Sequence, residues 1–171
     1  MKRLGILRHA KSSWDDPALD DFDRPLNERG REAATRMGEE FRSLGLSFDL
    51  ALVSPARRAA ETFDRLCKRW GQEITAREEP RIYGASVDGL LDIVGQSGSE
   101  IGRLLLVGHN PGLHELAVEL TRAYLSPEAA VLAAKFPTGS LAEIELPIRN
   151  WAEVQGATGR LVRFLRPRDL D

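Results

Sequence analysis

Leu104-Leu105-Leu106-Val107-Gly108-His109-Asn110-Pro111-Gly112 is the stretch that decides the fold. Four consecutive apolar residues closed off by a turn former read as a short strand buried on both faces. The run stops at Gly108, and the next residue is one of only three histidines in the chain. Beyond Pro111, Leu113, Leu116, Ala117 and Leu120 recur at helical spacing, with Tyr124 one turn further along the same side. A buried strand, a polar turn and an amphipathic helix follow one another directly.

The same pattern occurs twice upstream. Leu4 to Leu7 is a strand candidate that ends in Arg8-His9-Ala10-Lys11. Leu50-Ala51-Leu52-Val53 is another, ending in Ser54-Pro55-Ala56-Arg57-Arg58. Ser54 suits an N-cap and Pro55 the first helical position. The helix they open has Ala59, Phe63, Leu66, Cys67 and Trp70 as its apolar stripe, which places Cys67 in the core. Residues 12–27 are polar, Asp-rich and loop-like. A helix is expected from about Glu28 to Leu44, burying Ala34, Met37, Phe41 and Leu44 and stopping at Gly45. A short strand is expected near 74–77 and a helix over 86–97 with Leu90, Leu91 and Val94 inward. Leu141 to Leu146 and Leu161 to Leu165 read as two more strands, joined by a loop with Gly156 and Gly159. No repeat or linker divides residues 1–171, so one domain is expected. Strand–helix alternation of this kind implies a three-layer α/β/α sandwich around a mostly parallel central sheet.

Composition narrows the function. Among 171 residues, 24 are basic and 26 acidic, so the formal charge is 24 − 26 = −2. A general nucleic-acid binder carries a marked basic excess, which this chain lacks. The single cysteine, Cys67, forms no intramolecular disulfide and builds no multi-cysteine metal site. The apolar stretch after Met1 is cut off by Arg8, too early for a signal-peptide core, and no membrane span is expected. A cytoplasmic protein follows, and a monomer in the absence of a coiled-coil pattern.

In open α/β sheets, ligands bind at the carboxyl ends of the strands. The fold therefore gathers Arg8-His9, Ser54 to Arg58 and Gly108-His109-Asn110 on one rim. The set contains two histidines, two or three arginines and no carboxylate. Fixed guanidinium groups suit phosphoryl oxygens, and a neutral imidazole can attack phosphorus to form a covalent intermediate. From the residues alone, either Arg57 or Arg58 could supply the second guanidinium. A Walker A loop and a Gly-x-Ser-x-Gly elbow are absent from the sequence, which argues against a P-loop kinase and an α/β-hydrolase.

These residues also match a known pattern. Leu7-Arg8-His9-Ala10-Lys11-Ser12 resembles the Arg-His signature of the histidine phosphatase superfamily, and its extension through Ser13-Trp14 resembles the SixA-type phosphohistidine phosphatases. Asp23 to Gly30, Ser54 to Thr62, Val107 to Gly112 and Lys135 to Gly139 resemble later blocks of that branch in the same order. The resemblance implies a phosphoglycerate-mutase-like fold. It implies that His9 is the nucleophile and that Arg8, Arg58 and His109 bind the phosphoryl oxygens without a metal or other cofactor. The register selects Arg58 over Arg57. Lys11, Ser12, Arg24 and Asn110 are secondary candidates for phosphate or substrate contact. The implied partner is a phosphohistidine protein or a small phosphate ester, with inorganic phosphate as product.

One departure from the pattern has chemical content. Larger relatives follow the second histidine with Asp, a proton donor to the leaving group, and this chain has Asn110 there. Glu78, Glu79 and Asp88 are the remaining candidate acids. An alkoxide leaving group needs a general acid, whereas an imidazole nitrogen protonates near about pH 6.5 and leaves without one. The missing acid therefore favours phosphohistidine over sugar phosphates. His9 must be neutral to attack, and the neighbouring arginines lower its pKa, so an acidic limb is expected above about pH 5. Four expectations concern other residues. The acidic run Asp15, Asp16, Asp20, Asp21 and Asp23 is a solvated loop; Arg24 is a loop charge that either joins the site or faces solvent; His114 is structural; Trp14 either faces substrate or anchors its loop.

Overall fold

The computed structural model describes residues 1–170. Six strands form one sheet: β1 (Lys2–Arg8), β2 (Leu50–Val53), β3 (Thr75–Glu78), β4 (Arg103–Gly108), β5 (Leu141–Leu146) and β6 (Arg160–Leu165). Their spatial order is β3-β2-β4-β1-β5-β6. The strands β3, β2, β4 and β1 pair in parallel, β5 runs antiparallel to β1, and β6 antiparallel to β5. Five helices cover the sheet: α1 (Glu28–Ser43), α2 (Arg57–Trp70), α3 (Val87–Gly95), α4 (Gly112–Thr121) and α5 (Pro127–Ala134).

The continuous apolar runs are explained by this layering. Successive side chains of a strand point to opposite faces, so a strand covered on both sides needs apolar residues throughout. Leu104 and Leu106 join Leu4, Ile6, Leu50 and Leu52 against α3 and α4. Leu105 and Val107 join Leu7, Ala51 and Val53 against Met37 and Phe41 of α1 and Leu66 and Trp70 of α2. Burying one such leucine side chain stabilises the fold by about 1.5–3 kcal/mol.

Several local expectations are corrected. Leu44 is 42% exposed, because α1 ends at Ser43 and Gly45 turns the chain with a φ of 62°. The helix after β2 starts at Arg57 with Ala56 as its cap residue, and Ser54 makes no N-cap there. Phe63 and Cys67 are half-buried at the edge of the α2 stripe, and burial pushes the Cys67 thiol up to about 11. Helix α4 ends at Thr121, which leaves Tyr124 on the surface with the Arg160 guanidinium 5.5 Å from its ring. Helix α3 is shorter than the 86–97 expected: it begins at Val87, capped by Ser86, whose side chain accepts from the Gly89 N–H. Helix α5, capped by Ser126, was not anticipated from the sequence.

The rim follows from strand register. Leu7 pairs with Val107, Val53 pairs with Val107, and Arg8 with Gly108. The ladders continue one residue further: His9 N donates to Gly108 O and Ser54 N to Val107 O, both at 3.0 Å. Three strand ends that are far apart in sequence thus stand side by side.

Candidate active site

His9 leaves the end of β1 and is 6% exposed. The backbone of His9 and Ala10 is held from three sides. Gly108 O accepts from His9 N, Gly139 N donates to His9 O at 2.9 Å, and Ala10 N donates to Thr62 Oγ1 at 2.9 Å. Gly139 adopts a φ of 77°, a conformation that glycine reaches without steric cost. Gly30 in α1 lies so close to the Lys11 carbonyl that a Cβ there would collide with it. These contacts fix the turn that carries the imidazole.

The ring itself is oriented by its own loop. His9 Nδ1 lies 2.7 Å from Ala10 O. A carbonyl only accepts, so Nδ1 carries the proton and Nε2 keeps its lone pair. Burial is the largest cause that pushes the His9 pKa down, to about 3; His109, Arg58 and Arg8 add to it, and the Ala10 hydrogen bond opposes it. The His109 ring lies 5.2 Å away, centroid to centroid. His109 is pushed down to about 4, first by burial and then by Arg58. Both imidazoles are therefore neutral at pH 7, and the acidic limb expected above pH 5 moves below it. The physical reason is desolvation, which outweighs the arginine charges.

Two guanidinium groups flank the imidazoles. Arg8 Nη1 donates to Phe136 O at 3.0 Å, and Asn110 Nδ2 donates to the same carbonyl at 3.0 Å. Arg58, in the first turn of α2, is 6% exposed, whereas Arg57 faces solvent. Burial and the charge of Arg58 both lower the Arg8 pKa. Arg8 Nε, Arg58 Nε and His109 Nδ1 are buried and have no hydrogen-bond partner in the protein. Leaving such polar atoms unpaired costs about 1–3 kcal/mol each, more when charged.

All eight candidate residues, Arg8, His9, Lys11, Ser12, Arg24, Arg58, His109 and Asn110, line one cleft of about 640 Å³. Lys135 and Trp14 line it too, and Asp15 is its one carboxylate. Arg24 is not a solvated loop charge: it is 7% exposed, donates to Ser12 Oγ at 2.8 Å, and stacks 3.6 Å from the Trp14 ring centre. Trp14 is 76% exposed on the cleft wall. A second cleft of about 530 Å³ adjoins the first at Arg58, His109 and Asn110 and includes Asp21, Tyr83 and Glu115.

Glu78, Glu79 and Asp88 line neither cleft. Glu79 is paired with Arg81 at 2.9 Å. His114 Nε2 bonds to Leu132 O at 2.7 Å, in keeping with a structural role. Among the described residues, no three His, Cys, Asp or Glu side chains cluster where they could hold a metal ion.

Sequence reasoning missed two side chains. Ser54, fully buried, bonds through Oγ to His109 Nε2 at 2.7 Å. Its place at the end of a buried strand, level with His9 and His109, was the available signal. Asp21, read as part of a solvated loop, accepts from Arg58 at 3.0 Å and from Arg24 at 3.1 Å. No periodicity marks it.

The arrangement defines a class: an α/β sandwich whose parallel strand ends set two neutral histidines in a cationic cleft. Residues 4–82 match the histidine phosphatase superfamily (branch 1). An uncharacterized protein of Mycobacterium tuberculosis is 34% identical over 165 residues, covering 95% of this chain and all of that one. A structure from Nakamurella multipartitia, provisionally named phosphohistidine phosphatase SixA, superposes with a TM-score of 0.85 at 28% identity, covering 97% of this chain and 96% of that one. One from Agrobacterium tumefaciens, with the same provisional name, gives a TM-score of 0.79 at 29% identity and covers 97% and 98%. The chain belongs to the histidine phosphatase superfamily, in its SixA-type branch. Members of this superfamily are phosphatases or mutases.

Proposed function

We propose that this protein is a metal-independent phosphatase that removes the phosphoryl group from phosphohistidine in proteins, through a covalent intermediate on His9 Nε2. The observation that carries the reading is the 2.7 Å bond from His9 Nδ1 to the Ala10 carbonyl. It leaves Nε2 unprotonated and supports the positive charge that develops on the ring as Nε2 bonds to phosphorus.

In the first step Nε2 attacks phosphorus and the bond to the leaving nitrogen breaks. The substrate imidazole departs neutral if its other nitrogen is already protonated, so no acid from the protein is required. In the second step water attacks phosphorus, the P–Nε2 bond breaks and inorganic phosphate leaves. Arg8, Arg58 and His109 supply donors to the phosphoryl oxygens in both steps, a positioning and charge-stabilising role. Five cationic residues against one carboxylate in the cleft favour a dianionic group. Asn110 stands where an acid would follow the second histidine, Glu78, Glu79 and Asp88 line neither cleft, and Asp21 is engaged by Arg58, Arg24 and Tyr83, which together favour a leaving group that needs no acid.

Phosphate release should be measured without added metal, from a phosphohistidine-bearing protein domain and from sugar phosphates. Release from the former, absent in His9→Ala, is the expected result. Faster turnover of the sugar phosphates would overturn the substrate assignment.

A further inference from the structure

Arg58 is held at the far end of its guanidinium by one residue. Its Nη1 donates to the main-chain carbonyl of Asp21 at 2.7 Å, and its Nη2 to the Asp21 carboxylate at 3.0 Å. The same carboxylate accepts from the Tyr83 hydroxyl at 2.6 Å and from Arg24 at 3.1 and 3.2 Å. Tyr83 in turn meets the edge of His109 at 5.4 Å between ring centroids, and Phe22 packs against Tyr83 at 5.2 Å. Three segments distant in sequence are joined at a single carboxylate.

We propose that Asp21 is a positioning residue that acts through Arg58, fixing the plane of its guanidinium for the phosphoryl group. Arginine has five N–H donors in a rigid fork. Asp21 takes two of them, one on each terminal nitrogen, so three remain for an oxyanion. Two-point attachment also removes rotation about the guanidinium plane, which a single contact would allow. Asp21 itself is anchored against recoil by Tyr83 and Arg24. The hydrogen bond from Tyr83 and the charge of Arg58 hold its carboxyl well below the usual range, so it stays ionised at neutral pH. The inference rests on the reading that Arg58 binds the phosphoryl group.

The test is calorimetric titration with inorganic phosphate, which needs no turnover. It compares wild type, Asp21→Asn, Arg58→Lys and the double variant. Asp21→Asn keeps the side-chain shape and the main-chain carbonyl. It is expected to weaken phosphate about tenfold, the size of one lost charged hydrogen bond. In the Arg58→Lys background the same change is expected to cost less than about twofold, because a point-charge ammonium has no plane to fix. Tyr83→Phe keeps both ring contacts and is expected to give a smaller loss in the same sense; it serves if Asp21→Asn fails to fold. Tighter phosphate binding by Asp21→Asn would show that the carboxylate competes with phosphate, and would overturn the inference. So would an equal loss in both backgrounds. A wild-type chain that binds no phosphate would overturn the proposed function and this inference with it. Binding by wild type that Asp21→Asn leaves unchanged would overturn the inference alone.

Discussion

Ser54 Oγ and His109 Nε2 lie 2.7 Å apart, across strand ends separated by 55 residues in sequence. The bond sets the tilt of the second histidine from below, with the Ser54 hydroxyl shielded from solvent. Ser54→Ala leaves a buried ring nitrogen unpartnered. The expected result is a fall in kcat of about tenfold and a loss of stability of about 1–3 kcal/mol. Steady-state kinetics and urea denaturation of the variant check both.

The pH profile of kcat/KM reports the ionisations of the free enzyme and of the free substrate. A protonated His9 has no lone pair at Nε2, so activity falls where His9 gains a proton. With His9 near 3 and His109 near 4, activity is expected not to fall between pH 7 and about pH 5, protonation of the substrate imidazole raising it in that window, and the acidic limb lies below. A limb centred near about pH 6.5, the ordinary histidine value, would contradict the buried, neutral pair.

Stability carries the same signature. The folded-state pKa of His9 is lowered from 6.5 to about 3. Above 6.5 neither state binds the proton. As pH falls below 6.5 the unfolded chain takes it up first, and stability is lost progressively down to about 3. Between pH 7 and pH 5 His9 alone accounts for a loss of about 2 kcal/mol. Urea midpoints of wild type and His9→Asn at the two pH values check this; the variant is expected to lose that share of the pH dependence.

Arg8 and Asn110 share the Phe136 carbonyl, which ties the first guanidinium to the turn after β4. Arg8→Lys keeps a charge but loses the fork. Removal of one preorganised oxyanion donor costs about 10²–10³ in kcat. The variant is expected to fall in that range while retaining its fold, as read by rapid-mixing kinetics and circular dichroism.

The strands β1, β2 and β4 were legible because a parallel strand covered on both faces must be apolar throughout, and the polar residues that follow mark the rim. The eight candidate residues follow from that rule and the family resemblance, and all of them line the cleft. Helix α5 was not legible: it has eight residues, four of them alanine, and too few large side chains to show a period. Ser54 followed by proline is a sound cap signal, and its hydroxyl does accept from the Ala56 N–H, yet the helix starts only at Arg57 and the same hydroxyl bonds a partner 55 residues away. Asp21 sits in a run of similar residues. What separates it from Asp20 or Asp23 is contact with Arg58 and Tyr83, 37 and 62 residues further on, and no local pattern encodes such distances. The arginines that the sequence places beside His9 imply a lowered pKa but not the full shift, because burial depth is a property of the folded chain.

The proposed catalysis turns on a phosphoryl group passing through His9. Rapid-quench labelling tests this most directly. The enzyme is mixed with a radiolabelled phosphohistidine-bearing domain, stopped in alkali within milliseconds, digested and sequenced by mass spectrometry. The expected result is an alkali-stable, acid-labile label on His9 that appears before free phosphate and is absent from His9→Ala. Turnover with no label on His9, or phosphate release that survives in His9→Ala, would contradict the account.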